Sequence, residues 1–258
     1  MKRAYTYLLL LVLVIPLPVC AYQFLAHRRG AFTGTVFSPS DIASIHAWYD
    51  AGVGITTNGS GDVTNWSDSV SANDLSQSDS AQMPSFTLSD ANFNNEPSVN
   101  FDGVDEWMNS SFSSISQPNT IFAVLKVDST ATTDIYLFDG DSGSTRLGML
   151  IHGSGVHWLF VGTTLLSSSS VDTSTHVYGV RYDTTDEMFR DGGTADPSGN
   201  AGSHAVAGLT LAARWDESLY LDINFAEFII YDAALSDSEM NQVGNYLADK
   251  YGTSWTDL

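Results

Sequence analysis

Short runs of β-branched and aromatic residues recur along most of the chain, separated by turns rich in Gly, Asp, Asn and Ser. Runs of this length and spacing predict the strands of a β-sandwich or jelly roll. The strongest runs lie at 45–49, 63–66, 98–101, 120–127, 135–138, 146–151, 156–161, 176–182, 188–190, 209–213 and 220–231. The segment 67–95 is Ser-, Asp- and Asn-rich and is predicted to be a long surface excursion.

One α-helix is predicted near the C-terminal end of the chain. Ser236 and Glu239 have the spacing of a capping box, and Gly252 is placed to end the helix. Apolar residues recur between them at helical spacing: Met240, Val243, Tyr246, Leu247 and Tyr251. The pattern predicts a helix with one apolar face that packs on the sandwich.

The first 29 residues have the composition of an export or anchor segment. Lys2 and Arg3 precede an uncharged stretch at 4–26, and Val19-Cys20-Ala21 fits signal-peptide cleavage after Ala21. An uncleaved membrane helix is the alternative, because this stretch is long enough to span a core of ~30 Å. A lipoprotein signal ending at Cys20 is a weaker third interpretation. The predicted organisation is a signal peptide or anchor at 1–29, a linker at 30–40 and one domain at 41–258.

The charge of the chain excludes one class of partner. Four of the 10 basic residues and none of the 30 acidic residues lie in the first 29 positions, so the remainder has a net charge of −24. Such a body repels phosphate backbones, and nucleic acid is excluded as a partner. Cys20 is the only cysteine, so neither an intrachain disulfide nor a cysteine-based metal site can form.

Several segments together resemble a known family. They are AWYDA at 47–51, VTNWSD at 63–68, PSVNFDG at 97–103, AEFIIYD at 226–232 and YLADKYG at 246–252. This ordered series resembles bacterial and viral laminin-G-like domains of the concanavalin A-like lectin and glucanase superfamily. The resemblance covers residues 41–252 and implies an all-β antiparallel jelly roll of two sheets. It also implies an extracellular module that binds glycans or proteins.

Two functions follow as hypotheses from the resemblance and the N-terminus. The first is a non-catalytic recognition or adhesion module, secreted or anchored outside the cytoplasm, with a glycan or surface protein as its partner. The alternative is a structural protein of a virion or cell envelope that is held in a membrane through residues 4–26. In that case the jelly roll mediates assembly into a larger structure.

An enzyme is not expected from the acidic residues. Retaining glucanases need two carboxyl groups ~5 Å apart, which alternate residues of one strand can provide. The chain has six Glu residues, and none stands in a Glu-x-Asp-x-Glu arrangement. We therefore predict that the chain is not an enzyme.

Two kinds of binding site have candidate residues. Asp139, Asp141 and Asp102 stand beside glycines and could supply oxygen ligands to calcium, although Asp-Gly is also common turn chemistry. For a glycan, an exposed aromatic ring with polar neighbours is required. Trp215 is the leading candidate because it lies in a polar loop with Arg214 and Asp216, and Tyr136 and Arg146 are weaker candidates. Trp48, Trp66, Trp107 and Trp158 are predicted to lie in the core.

Overall fold

The computed structural model describes residues 36–129 and 133–258. The predicted N-terminal hydrophobic helix and the boundaries at 1–29 and 30–40 fall mostly or wholly outside the described residues and stay predictions. The strands are β1 (Ile45–Asp50), β2 (Ile55–Thr57), β3 (Val63–Trp66), β4 (Leu75–Ser76), β5 (Ser85–Thr87), β6 (Ser98–Asp102), β7 (Met108–Ser110), β8 (Asn119–Val127), β9 (Ile135–Asp139), β10 (Gly148–Ile151), β11 (Val156–Phe160), β12 (Thr164–Ser170), β13 (Thr175–Tyr182), β14 (Asp186–Arg190), β15 (Ser198–Gly199), β16 (Leu209–Leu211) and β17 (Asp222–Tyr231). A single α-helix among these residues, α1, spans Asp237–Tyr251.

The strands form two sheets whose ladders are all antiparallel. Sheet A has the order β15-β14-β13-β8-β17-β6-β5, with β1 pairing beside β6 on β17. Sheet B has the order β12-β11-β10-β9-β16-β7-β4-β3-β2. The two inner faces pack against each other around one large core, in which Phe138 of sheet B meets Phe228 of sheet A with ring centroids 5.1 Å apart. The prediction of a mostly β chain with two antiparallel sheets is confirmed.

Helix α1 lies on the outer face of sheet A. It begins with the capping box of Ser236 and Glu239 and ends at Gly252, whose φ of 67° belongs to the left-handed region. Its apolar residues pack into a second core with Phe122 of β8 and Ile229 of β17. The predicted C-terminal helix and its buried face are confirmed, and sheet A is therefore enclosed between two apolar layers.

A buried ionic contact fastens α1 to the sheet. Lys250 Nζ lies 2.8 Å from Glu227 Oε2 and 2.6 Å from Asp50 Oδ2. Tyr251 and Trp48 also donate hydrogen bonds to Glu227, at 2.8 and 2.6 Å. Because Glu227 has no exposed surface, Lys250, Tyr251 and Trp48 satisfy its charge inside the protein.

Two segments differ from the prediction. The region 67–95 contains β4 and β5 and buries Leu75 and Phe93, so it is folded onto the sandwich and is not simply a surface excursion. Strand β12, which contains Leu165 and Leu166 followed by four serines, was missing from the prediction. Very short strands and serine-rich strands leave no clear alternation, because too few apolar side chains mark the buried face. Among the described residues, no helix is long and apolar enough to cross a membrane.

Candidate functional site

Four strands of sheet B place a row of large side chains on the outer face of the sheet. The ladders set Tyr136 opposite Leu150, Leu150 opposite Trp158 and Trp158 opposite Leu166. Directly opposed residues share a face, so these four side chains form one line across β9, β10, β11 and β12. In β11 the alternation is clear, because His157 is buried while Trp158 is half-buried. Leu166 is 46% exposed at the end of this line.

Arg146 lies between aromatic rings on the same face. Its guanidinium carbon is 5.3 Å from the ring centroid of Tyr136 and 4.4 Å from that of Phe160. Phe160 is on the same side of β11 as Trp158, two residues away. The flat guanidinium stacks on both rings, which are favourable cation–π contacts. Only 8% of Arg146 is exposed, so the rings largely cover it.

Asp139 lies beneath Arg146 and neutralises it. Arg146 Nε is 3.0 Å from Asp139 Oδ1, and Arg146 Nη2 is 2.6 Å from Oδ2. The backbone N–H groups of Gly140 and Trp215 donate to the same carboxylate, at 2.9 and 3.3 Å. Burial raises the pKa of Asp139 to about 6, and the Arg146 guanidinium opposes this rise. The carboxylate is therefore charged at neutral pH and paired with Arg146.

The loop between β16 and β17 brings Trp215 to this face. The Tyr136 N–H donates to Leu219 O at 3.2 Å, which ties the loop to β9. The half-buried indole of Trp215 lies directly over Gly143, where an added Cβ atom would come within 2.9 Å of the ring. Beside it, Arg214 Nε donates to Asp216 Oδ1 at 2.7 Å. The loop therefore presents one aromatic ring and one ion pair.

These side chains make up a single surface, which we call the aromatic face. It is defined by Tyr136, Arg146, Trp158, Phe160, Leu166, Arg214, Trp215 and Asp216. The structure thus brings together the five residues predicted from the sequence as glycan contacts. Trp158 was predicted to be a core residue, and this prediction was wrong because its side chain lies on the outer side of β11. Its ring stacks on His152 with centroids 4.1 Å apart.

The other predicted core tryptophans are placed as follows. Trp66 has no exposed surface and Trp107 is 8% exposed, so both lie in the interior. Trp48 is half-buried, with its Nε1 bound to Glu227. Phe160 was not selected as a functional residue from the sequence. In the structure, half-buried and buried residues alternate along β11. The sequence does not show this alternation, because apolar residues occupy both faces of the strand.

The predicted calcium residues do not gather at one point. Asp139 Oδ1 accepts hydrogen bonds from Gly140 N–H and Arg146 Nε, Oδ2 accepts one from Trp215 N–H, and Arg146 Nη2 lies 2.6 Å from Oδ2, so this carboxylate already has a cation as its partner. Asp141 accepts a hydrogen bond from Ser111 at 3.0 Å, and Asp102 lies at the end of β6 in sheet A. In the described part of the chain, no three His, Cys, Asp or Glu residues are placed to share a metal ion. Asp139 does not fit as a ligand, and calcium binding elsewhere stays a prediction.

Comparison with known proteins bears on the fold. No protein-family model matches the sequence, and no curated protein matches it significantly. A sialidase of Trypanosoma rangeli in complex with sialic acid has a TM-score of 0.57 and 13% identity, covering 84% of this chain and 34% of the sialidase. The ligand-binding domain of botulinum neurotoxin serotype D in complex with N-acetylneuraminic acid has a TM-score of 0.59 and 9% identity, covering 81% and 52%. This chain thus spans about a third of the sialidase chains and half of the toxin domain.

One prediction is corrected by these similarities. The lack of a paired-carboxylate motif led to the prediction that this chain is not an enzyme. Chains of sialidases have the same sandwich over 84% of the present chain, so the prediction was wrong to exclude catalysis. The two-sheet sandwich agrees with the predicted all-β architecture, and both of these neighbours are proteins in complex with sialic acids.

Proposed function

We propose that this chain is a carbohydrate-binding protein whose ligand lies on the aromatic face. One observation supports it above the rest: Trp158, Phe160 and Trp215 keep partly exposed rings around a fixed Arg–Asp pair on the outer side of sheet B. Aromatic rings pack on the apolar face of a pyranose, while nearby carboxylates accept hydrogen bonds from its hydroxyl groups. Rigid strands hold these groups in place, so little conformational entropy is lost on binding.

The narrower family and location belong to the same proposal. The motif series at 41–252 supports a laminin-G-like module, and the composition of residues 1–29 supports a domain outside the cytoplasm. A membrane partner through residues 4–26 and a surface-protein partner remain hypotheses on the same basis.

The test is a glycan array probed with the full-length chain. We expect the unmodified chain to bind glycans on the array. Trp215→Ala and Leu166→Ala should each weaken this binding by about tenfold, because a few side chains buried against the ligand contribute most of the binding free energy. Leu88→Ala is the matched control, because Leu88 is 74% exposed next to β5 of sheet A. An array without signal, or equal losses for Leu166→Ala and Leu88→Ala, contradicts the proposal. Released sugar is measured in the same samples, because the fold occurs in sialidases.

A further inference from the structure

Every Lys and Arg side chain in the described part of the chain is paired with a carboxylate. The pairs are Lys126 with Asp128, Arg146 with Asp139, Arg181 with Glu187 and Asp237, Arg190 with Asp172, Arg214 with Asp216, and Lys250 with Asp50 and Glu227. The four remaining basic residues of the sequence lie within residues 1–29. In residues 36–129 and 133–258, each Lys and Arg that a negatively charged ligand could approach therefore already has a carboxylate within 3.6 Å.

The pairing is tightest on the aromatic face. Asp139 is fully buried, accepts a hydrogen bond from Arg146 Nε on Oδ1 and has Arg146 Nη2 2.6 Å from Oδ2, so it occupies the place that the carboxylate of an acidic sugar would need. A sugar carboxylate could replace Asp139 only by leaving that buried carboxylate without its counterion, which is strongly unfavourable. Arg214 is bound by Asp216 in the same manner at the edge of the face. Arg146 and Arg214 thus act as neutral pairs with respect to a ligand.

The charges around the aromatic face also repel a negatively charged ligand. The chain from Gly30 onward has a net charge of −24, and Glu217 next to Asp216 adds an exposed carboxylate to the loop. Negative potential lowers the local concentration of anions and slows their association. Sugar hydroxyls are attracted to the same carboxylates, because these oxygens accept hydrogen bonds.

We infer that the ligand of the aromatic face is an uncharged carbohydrate and not a sialic acid or another acidic sugar. This inference rests on the proposed function and narrows it to one class of ligand. The inferred ligand differs from the sialic acids that the structural neighbours bind. This difference is compatible with the similar fold, because a fold does not determine which charged residues a binding site contains.

The experiment compares pairs of glycans with and without an acidic sugar. The full-length chain is titrated with lactose and N-acetyllactosamine oligosaccharides, and with the same oligosaccharides carrying terminal sialic acid. A panel of mannose and glucose oligosaccharides is compared with uronic-acid analogues in the same way. We expect the uncharged member of each pair to bind at least about tenfold more tightly. The difference should shrink in high salt, which screens the repulsion.

A variant in which Arg214 loses its carboxylate partner tests whether the pairing of the cations causes the preference for uncharged glycans. Asp216→Asn leaves the Arg214 guanidinium without its carboxylate and should increase the affinity for the sialylated member, which reduces the preference severalfold. Asp249→Asn is the matched control, since it makes the same charge change at an exposed position of α1. Its preference should equal that of the unmodified chain.

The outcomes separate this inference from the proposal on which it rests. Tighter binding of the sialylated or uronic members overturns the inference and leaves carbohydrate binding intact. Sialylated binding that appears only with added calcium and is lost in EDTA also overturns it, because a bridging cation then replaces the missing base. Failure of every glycan to bind contradicts the proposed function itself.

Discussion

Lys250 Nζ lies 2.8 Å from Glu227 Oε2, and this contact joins the last turn of α1 to the middle of β17. Both residues belong to the segments that resemble laminin-G-like domains. The ammonium also contacts Asp50 of β1, so one cation holds together three elements that are far apart in sequence. Glu227 therefore has a structural role in docking the helix.

Removing this cation should destabilise the fold strongly. Lys250→Met leaves Glu227 buried without its counterion, and loss of one partner of a buried pair lowers the free energy of unfolding by about 3–5 kcal/mol. Urea denaturation followed by circular dichroism measures the change. Lys126→Met is the control, because its partner Asp128 is partly exposed and about 0–1 kcal/mol is expected there. Equal effects of the two substitutions would contradict the role given to Lys250.

His157 should make the fold sensitive to acid. Burial, together with the nearby Arg190 charge, lowers the pKa of His157 to about 3, whereas an unfolded histidine titrates near pH 6.5. The stabilisation of the folded state that comes from this pKa difference is complete above pH 6.5. As the pH falls from 6.5 toward 3, the free energy of unfolding decreases by about 1.4 kcal/mol per pH unit. His157→Gln should flatten this part of the curve of unfolding free energy against pH. An unchanged slope would show that the pKa of His157 is the same in the folded and unfolded states.

His176 should act in the opposite direction. Its Nδ1 lies 2.6 Å from Asp191 Oδ2 and its Nε2 lies 2.9 Å from Asp172 Oδ1. Burial lowers the pKa of His176, but these two carboxylates outweigh it and raise the pKa above the usual value. The stabilisation is present below pH 6.5 and is lost as the pH rises through the folded value. His176→Gln should therefore cost more stability at pH 6 than at pH 9, as measured by urea titrations at both pH values.

Gly143 should matter for the position of the Trp215 ring. Gly143→Ala places a methyl group within 2.9 Å of the indole and displaces it, which should weaken glycan binding by about tenfold with little change in melting temperature. Gly59→Ala is the matched control, because nothing lies within 4 Å of its added Cβ atom. Unchanged glycan affinity in Gly143→Ala would remove Trp215 from the binding surface.

Calcium should have no effect through Asp139. Because that carboxylate is buried, is paired with Arg146 and accepts hydrogen bonds from two backbone N–H groups, we expect the same melting temperature in EDTA and in excess calcium. A rise of several degrees with calcium would require another group of ligands. Asp102 and Asp141 would then be replaced by Asn one at a time to locate them.

The elements that could be predicted from the sequence each contain several characteristic residues within a short segment. Strand β8 is almost uniformly apolar, and α1 combines a capping box, a periodic face and a terminal glycine. Strands β4 and β12 carry too few apolar residues for such a signal. Their positions depend on ladders with β3, β7 and β11, which are tertiary contacts.

Several residues of the candidate site could be predicted from the sequence, but the contacts between them could not. Trp215 was identifiable because it stands in a polar loop, and Tyr136 and Arg146 because they flank the Asp139 turn. The side of β11 on which Trp158 lies was hidden, since apolar neighbours surround it in the sequence. The pairing of Arg146 with Asp139 depends on how the loop between β9 and β10 folds back, which residue types alone do not specify.

The position of Leu258 has a practical consequence. Leu258 packs into the apolar layer around α1, on the far side of sheet A from the aromatic face. A linker attached after Leu258 therefore begins on the side of the sandwich opposite that face. Coupling through the C-terminus to a sensor chip or bead should leave Trp158 and Trp215 pointing into solution, ready for oligosaccharides too long to enter a crevice.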